Sequence, residues 1–580
     1  MKNSKYIFLL ITLIINYICP FAIPPKIGLI EIQQPDGTIL NIKIVGNRDL
    51  HFTTTEEGYL LIKDPDGFYR LATLNKEGDL SSSGILPTGD ATDKGLKLNH
   101  ELIERIKTCR TVSTRETSQI DIRQSGLGMY KNNYPTKGNP KVPVILVEFQ
   151  DVKFSSDYNA KEYFTNIICG DEVLDPEIPG SIKKYFEDQS HGQFVPEFDV
   201  YGPITLPYPV AYYGSNEGIQ DGFSHYMVSQ SLKILDPEVD FSQYDANGDG
   251  EIDFVYIIYA GYGENRGADP DTVWPHAGYI KGDADFVIVD GVWGNYYACS
   301  NELIFGKDEP EGICAFIHEY LHIVGLPDIY PTDPFIFAED DWDFTAGQYT
   351  ILDYGVYNND GKTPPNLTAF ERNALKWDNP IILDHPLSIE LQEISSGQFG
   401  LIPTNLDNEF YLLENRQQTG WDAFIPNNGM LIWHIDYDKS IFENNQVNNK
   451  KDHQHVELIK ANNEILFGHP LSNQEGYPFP GVIGNTEFTP YSTPAMVTWT
   501  KELGQYPVTN IKETERIISF DIAGGKQGDT GIMNLVTEGK NLFNIYNFNG
   551  LKIGNGDEDF VKSLPKGWYI INGEKMYLKN

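Results

Sequence analysis

The sequence predicts an α+β protein, with a central block of mixed helices and strands flanked by β-rich regions. Three observations carry that prediction. Val142–Phe149 (VPVILVEF) and Asp253–Ala260 (DFVYIIYA) are continuous apolar runs, the pattern of strands buried on both faces. Gly180–Gln189 (GSIKKYFEDQ) reads as an amphipathic helix, and a second helix is predicted around Gly312–Gly325. Residues 23–100 hold short strand-like runs separated by turns such as Gln34-Pro-Asp-Gly37 and Asp64-Pro-Asp-Gly67, and residues 381–525 return to alternating runs such as Met430–Asp436.

The chain has 580 residues, enough for three or four units at ~150 residues each. With 82 Asp and Glu against 44 Lys and Arg, its net charge is −38. Such a field repels phosphate and argues against nucleic acid as a partner, while it suits an extracellular protein or a binder of cations. After the N-terminus no stretch supplies the ~20 apolar residues of a membrane span.

Taken in order, Lys2 and Lys5 precede an apolar run from Tyr6 to Ile18, and Pro20-Phe21-Ala22 offers a small residue for cleavage. This is the layout of a secretory leader over residues 1–22. Residues 23–125 read as a small β-rich region ending in a Ser/Thr/Arg/Gly linker, 126–380 as the mixed block, 381–525 as a β-rich domain and 526–580 as a tail. Outside the leader four cysteines remain, Cys109, Cys169, Cys299 and Cys314, too few for a disulfide scaffold.

The chemistry concentrates at residues 318–328, which read H-E-x-x-H-x-x-G-x-x-D. His318 and His322 lie four apart, so a helix sets both on one face, where two imidazoles can take two corners of a zinc tetrahedron. Glu319 can reach water held at such a metal, take its proton and later pass it to a leaving amine. Gly325 lets the chain leave the helix and turn Asp328 back as a third ligand, which leaves one position open. Glu371, on a later helix predicted within Leu367–Trp377, is the competing third ligand.

The chain resembles the immune inhibitor A family of secreted bacterial metallopeptidases, which is related to the metzincins. The resemblance rests on His318–Tyr330 (HEYLHIVGLPDIY), Val144–Phe154 (VILVEFQDVKF), Ser181–Pro203, Trp274-Pro-His276, Tyr411–Arg416 (YLLENR) and Gly429–Asp436 (GMLIWHID). It implies a zincin-like catalytic domain over 126–380, preceded by a propeptide within 23–125 and followed by a β-rich domain. It also implies a zinc endopeptidase acting on proteins or peptides, made as a secreted zymogen. Metzincins carry a methionine in a turn beneath the metal, and Leu352 takes that place here. This departure motivates a second reading, a catalytically silent surface-binding protein on the same fold. Two residues on, Tyr354 holds the place of a tyrosine that in some metzincins swings between metal and oxyanion, where its phenol can stabilise a tetrahedral intermediate.

A second cation site is expected at Asp245, Asn247, Asp249, Glu251 and Asp253. Oxygen side chains fall at loop positions 1, 3, 5 and 9, with glycine at 6, the spacing of a calcium loop; Tyr256 replaces the usual bidentate Glu at position 12. Cys109, in the region before the mixed block, is either a latch on the zinc or an ordinary thiol. Cys314, one turn before His318, is expected in the core, His276 beside Trp274, His434 in a structural role, and His453 and His455 on the surface. The tail, with Ile545-Tyr-Asn-Phe-Asn-Gly550, resembles the C-terminal sorting domains of type IX secretion, which implies attachment to the outer cell surface or release from it.

Overall fold

A computed structural model of the chain describes residues 21–525 except 49, 75–79, 89–94, 99–101, 103–133, 216–222, 281–286, 334–335, 337–345 and 463–472, and parts of 543–578. The expected leader up to residue 20, the linker and Cys109 lie outside the described residues.

The central block is built on a six-stranded sheet in the order Phe21–Ala22, His276–Tyr279, Tyr296–Leu303, Val255–Tyr262, Lys141–Glu148, Glu197–Thr205. The last four strands run parallel to one another, and the first two pairings are antiparallel. Both apolar runs of the sequence lie in its interior, and alternation divides each run between two cores. Val144, Leu146, Tyr256 and Ile258 face the helices Ala160–Cys169, Ile182–Gln189 and Cys314–Ile323. Ile145, Val147, Ile257 and Tyr259 face the helix Tyr226–Leu235. That two-sided burial is why neither run carries a polar alternation.

Before this block, residues 30–82 form an antiparallel six-stranded meander. It packs on the central block: the Asn47 side-chain amide donates to the Thr332 carbonyl, and His51 Nε2 meets Glu264 Oε1 at 2.8 Å. After the block, the strands Ile381–Ile382, Gly400–Pro403, Glu409–Arg416, Gly429–Asp436 and Val456–Ile459 make one sheet, and Leu387–Leu391, Ile517–Ile522 and Val508–Thr514 a second, as the alternating runs predict. Residues 528–580 are a separate compact unit whose described strands form a four-stranded antiparallel sheet. Among the described residues no helix is long and apolar enough to cross a membrane.

Phe21 and Ala22, at the end of the expected leader, pair antiparallel with Ala277 and His276 and close the edge of the central sheet. The chain continues in extended form: Trp274 Nε1 donates to the Ile23 carbonyl at 2.9 Å, Tyr357 Oη to the Pro24 carbonyl at 2.5 Å, and the Lys26 N–H to the Asn265 carbonyl at 2.9 Å.

Candidate active site

The motif helix runs from Cys314 to Ile323 and is buried along its whole length. Its end is a Schellman turn: the Leu326 N–H donates to the Leu321 carbonyl and the Gly325 N–H to the His322 carbonyl. Gly325 has φ +104°, a conformation that a side chain resists. The same turn presents the Leu326 carbonyl to His322 Nδ1 at 2.8 Å. His318 Nδ1 is bonded in turn to the Ile351 carbonyl at 2.6 Å. Both rings are therefore fixed through Nδ1, with Nε2 turned to a common point.

At that point His318 Nε2 and His322 Nε2 lie 3.1 Å apart, and each is 3.3 Å from Asp328 Oδ1. All three side chains are fully buried or nearly so. Burial pushes the His318 imidazole below its ordinary range. Burial alone would raise the Asp328 carboxyl; the adjacent imidazoles more than offset it and hold it at about 2. Two imidazoles and a carboxylate are a zinc donor set, and ligands ~2.0–2.1 Å from a tetrahedral zinc stand about 3.3 Å from one another. The observed separations fit. Buried polar atoms left without a hydrogen-bond partner fit as well: Asp328 Oδ1 and Glu319 Oε2.

Asp328 is oriented from outside the motif. Asn445 donates from Nδ2 to Asp328 Oδ2 at 2.7 Å and accepts the Asp328 N–H on Oδ1 at 2.8 Å. Asn448 and Asn449 extend the bridge to the Ile329 carbonyl and to the N–H groups of Thr332 and Asp333. Sequence reasoning missed Asn445, since 117 residues separate it from Asp328 and an asparagine in a polar run gives no signal.

Glu319 Oε1 accepts the Ile23 N–H at 3.0 Å, and burial pushes its carboxyl well above 4.5, with the Asp328 charge adding to the rise. Phe21 stacks on His322 with ring centroids 4.5 Å apart. The N-terminal segment thus lies directly across the motif.

Glu371 is placed elsewhere. It forms a capping box with Thr368, and its two oxygens accept the Thr350 hydroxyl and the Thr368 N–H. Leu352 is fully buried in the core shared with the motif helix, next to the Ile351 carbonyl that holds His318. The Tyr354 hydroxyl is buried without a hydrogen-bond partner, and its ring lies over Tyr357. Cys314 is buried, as expected for a core thiol. His276 has protein partners on both nitrogens, the Trp274 carbonyl and the Tyr297 hydroxyl.

In the expected calcium loop, Asp245, Asn247 and Asp249 oxygens accept backbone N–H groups of the loop itself, and Asp253 Oδ2 accepts the Ala246 N–H. The Glu251 side chain instead accepts from Asn295 Nδ2, and Tyr256 stacks on Phe316 in the core. Among the described residues, two groups of three His, Cys, Asp or Glu bring their ligand atoms together: His318, His322 and Asp328, and a second at Asp436, His453 and His455.

Residues 131–379 match the family model of the immune inhibitor A peptidase M6 catalytic domain. The stretch is similar to an M6 peptidase catalytic domain. Immune inhibitor A of Bacillus thuringiensis subsp. alesti is 32% identical over 240 residues, covering 33% of this chain and 34% of that protein. The pre-pro-metalloprotease PrtV of Vibrio cholerae is 26% identical over 235 residues, covering 34% of this chain and 25% of that protein. The chain thus spans about a third or less of the curated relatives it matches. The matched stretch contains the motif helix, Asp328, Leu352 and Tyr354, and the relatives that align with it are named as an immune inhibitor and a metalloprotease. Asn445 lies beyond its end.

Proposed function

We propose that this chain is a secreted zinc endopeptidase made as a zymogen, with zinc held by His318, His322 and Asp328 and with Glu319 as general base. The observation that carries the reading is the convergence of two Nε2 atoms and one carboxylate oxygen at 3.1 to 3.3 Å in one buried pocket. Zinc bound there supplies a Lewis acid and an acidified water. The chain's own residues do the rest. Glu319 takes the water proton and hands it to the leaving amine. The Tyr354 phenol, buried without a partner, is assigned to the oxyanion. Substrates are proteins or peptides that lie extended along His276–Tyr279, as an added strand lies on a sheet edge.

The N-terminal segment supports the zymogen reading, because it occupies that same edge and covers His322 and Glu319. The loop at Asp245–Asp253 is proposed as a calcium site on its oxygen spacing, with Glu251 contributing its carbonyl.

The test is casein cleavage by the full chain before and after limited proteolysis, with zinc, after chelation and as Glu319→Ala. Zinc-dependent cleavage that appears on processing and is lost in Glu319→Ala is expected. No cleavage by folded, processed, zinc-loaded protein would favour the silent binding protein that Leu352 motivates.

A further inference from the structure

The second converging group lies in the β-rich region, at the mouth of one loop. Asp436 ends the strand Gly429–Asp436, and His453 and His455 immediately precede the neighbouring strand Val456–Ile459. These strands pair antiparallel up to Ile435 and Val456, so Asp436 and His455 face each other where the ladder opens, with the Asp436 N–H bonded to the His455 carbonyl at 3.1 Å. His453, two residues earlier, falls on the same side as His455, and their rings stack at 4.8 Å.

The three side chains offer one ligand atom each within 4.8 Å of one another. Asp436 Oδ2 lies 2.6 Å from His453 Nε2. His455 Nδ1 meets the Asp436 carbonyl at 2.5 Å, a bond that fixes its ring in the way outer partners fix metal-binding histidines. Trp499 stacks on His453 at 4.7 Å and on His434 at 5.4 Å. Glu409 Oε1 anchors both walls, accepting the Trp499 backbone N–H at 2.7 Å and lying 2.7 Å from His434 Nε2. The His453 side chain is 38% exposed, so it can move the small distance that coordination needs while His455 stays fixed.

We propose that Asp436, His453 and His455 bind one divalent transition-metal ion that clamps the mouth of the 436–455 loop. Two imidazoles and one carboxylate select zinc, cobalt or nickel over calcium and magnesium, which take oxygen donors. The loop carries Asn445, Asn448 and Asn449, whose side chains hold Asp328, Ile329, Thr332 and Asp333. The clamp thus closes the chain segment that orients one member of the first metal group. Metal binding at the clamp does not depend on the catalytic reading, because it can be read with the first group removed.

The experiment uses the full chain carrying His318→Gln and His322→Gln, titrated with Co2+ alone and followed by calorimetry, tryptophan fluorescence and thermal unfolding. One equivalent of Co2+ is expected, with quenching of Trp499 and a rise in unfolding temperature, as for any ligand that binds only the folded state. Adding His453→Gln, at a half-exposed position, should weaken binding by about tenfold or more, since even outer partners of a ligand cost that much. It should also abolish the temperature rise. If the double-glutamine chain does not fold, bound zinc is counted in the unmodified chain: two equivalents, falling to one in His453→Gln, are expected. No Co2+ uptake by the folded double-glutamine chain, uptake indifferent to His453→Gln, or one equivalent in both chains would overturn the proposal.

Discussion

The backbone N–H of Ile23 donates to Glu319 Oε1 at 3.0 Å, so the residue read as general base is engaged by the chain's own N-terminal segment. The bond joins residues 296 apart and lies beside the antiparallel pairing of Phe21 and Ala22 with Ala277 and His276. An extended peptide on the sheet edge is both what a substrate would be and what the chain supplies to itself.

Ile23→Pro removes that donor while leaving an extended backbone. A hydrogen bond to a carboxyl group contributes about 1.5 kcal/mol or more, roughly a tenfold change in occupancy. Hydrolysis of a fluorogenic peptide by the unprocessed chain should rise about tenfold. A folded variant with unchanged basal activity would show that the segment does not gate the site.

Asn445→Ala takes two hydrogen bonds from Asp328. Losing such outer partners weakens a metal site by about 10- to 100-fold. Competition against a chelator should show that loss, with far-ultraviolet circular dichroism unchanged. Retained affinity would make the bridge purely architectural.

Gly325→Ala forces a side chain into the left-handed region at φ +104°, at a cost of about 1–2 kcal/mol. Denaturant unfolding should show a lower midpoint. Zinc affinity should fall too, because the same turn carries the carbonyl that fixes His322.

Asp353 gives a pH signature. Burial raises its carboxyl to about 7, against the N–H bonds it accepts from Gly347 and Tyr354. Unfolded, it titrates near its ordinary value of about 4. Between those limits the folded chain holds the proton and the unfolded chain does not, so stability falls as pH rises from about 4 to about 7. Thermal unfolding of chelator-stripped protein should show a shallower fall over that range in Asp353→Asn. An identical slope in both proteins would remove Asp353 as its source.

Thiol reactivity separates the described cysteines, none of which is in a disulfide. Cys314 is buried and its thiol is pushed well above its ordinary range, and Cys299 is also buried, whereas Cys169 is partly exposed. Iodoacetamide at pH 8 should label Cys169 slowly in the folded chain and reach Cys299 and Cys314 only after unfolding. Prompt labelling of Cys314 would mean that the motif helix opens.

What was legible in the sequence followed local rules. Histidines four apart, a glycine where the helix must end and an aspartate one turn later are spaced by backbone geometry, and the structure brings them together. The uninterrupted apolar strands were legible for the same reason. What was not legible depends on contacts between distant segments. Nothing local pairs Asn445 with Asp328, or gathers Asp436, His453 and His455 across a loop whose histidines looked like surface residues. Glu251 satisfied a spacing rule, yet its carboxylate is taken by Asn295, a partner in the connection between two other strands.

The bridge from Asn445 to Asp328 also bears on how this molecule can be divided. The region that aligns with the M6 family stops at residue 379, so it looks like a cassette that could be excised or grafted. It is not self-sufficient in that sense. A chain cut there keeps every residue of the motif but leaves Asp328 Oδ2 and its N–H buried without their asparagine, and the Thr332 N–H without Asn449. Inheritance and engineering alike must carry the two parts together: a recombinant that swaps the β-rich region for another has to bring an equivalent asparagine to the same place, or it receives the motif without its geometry.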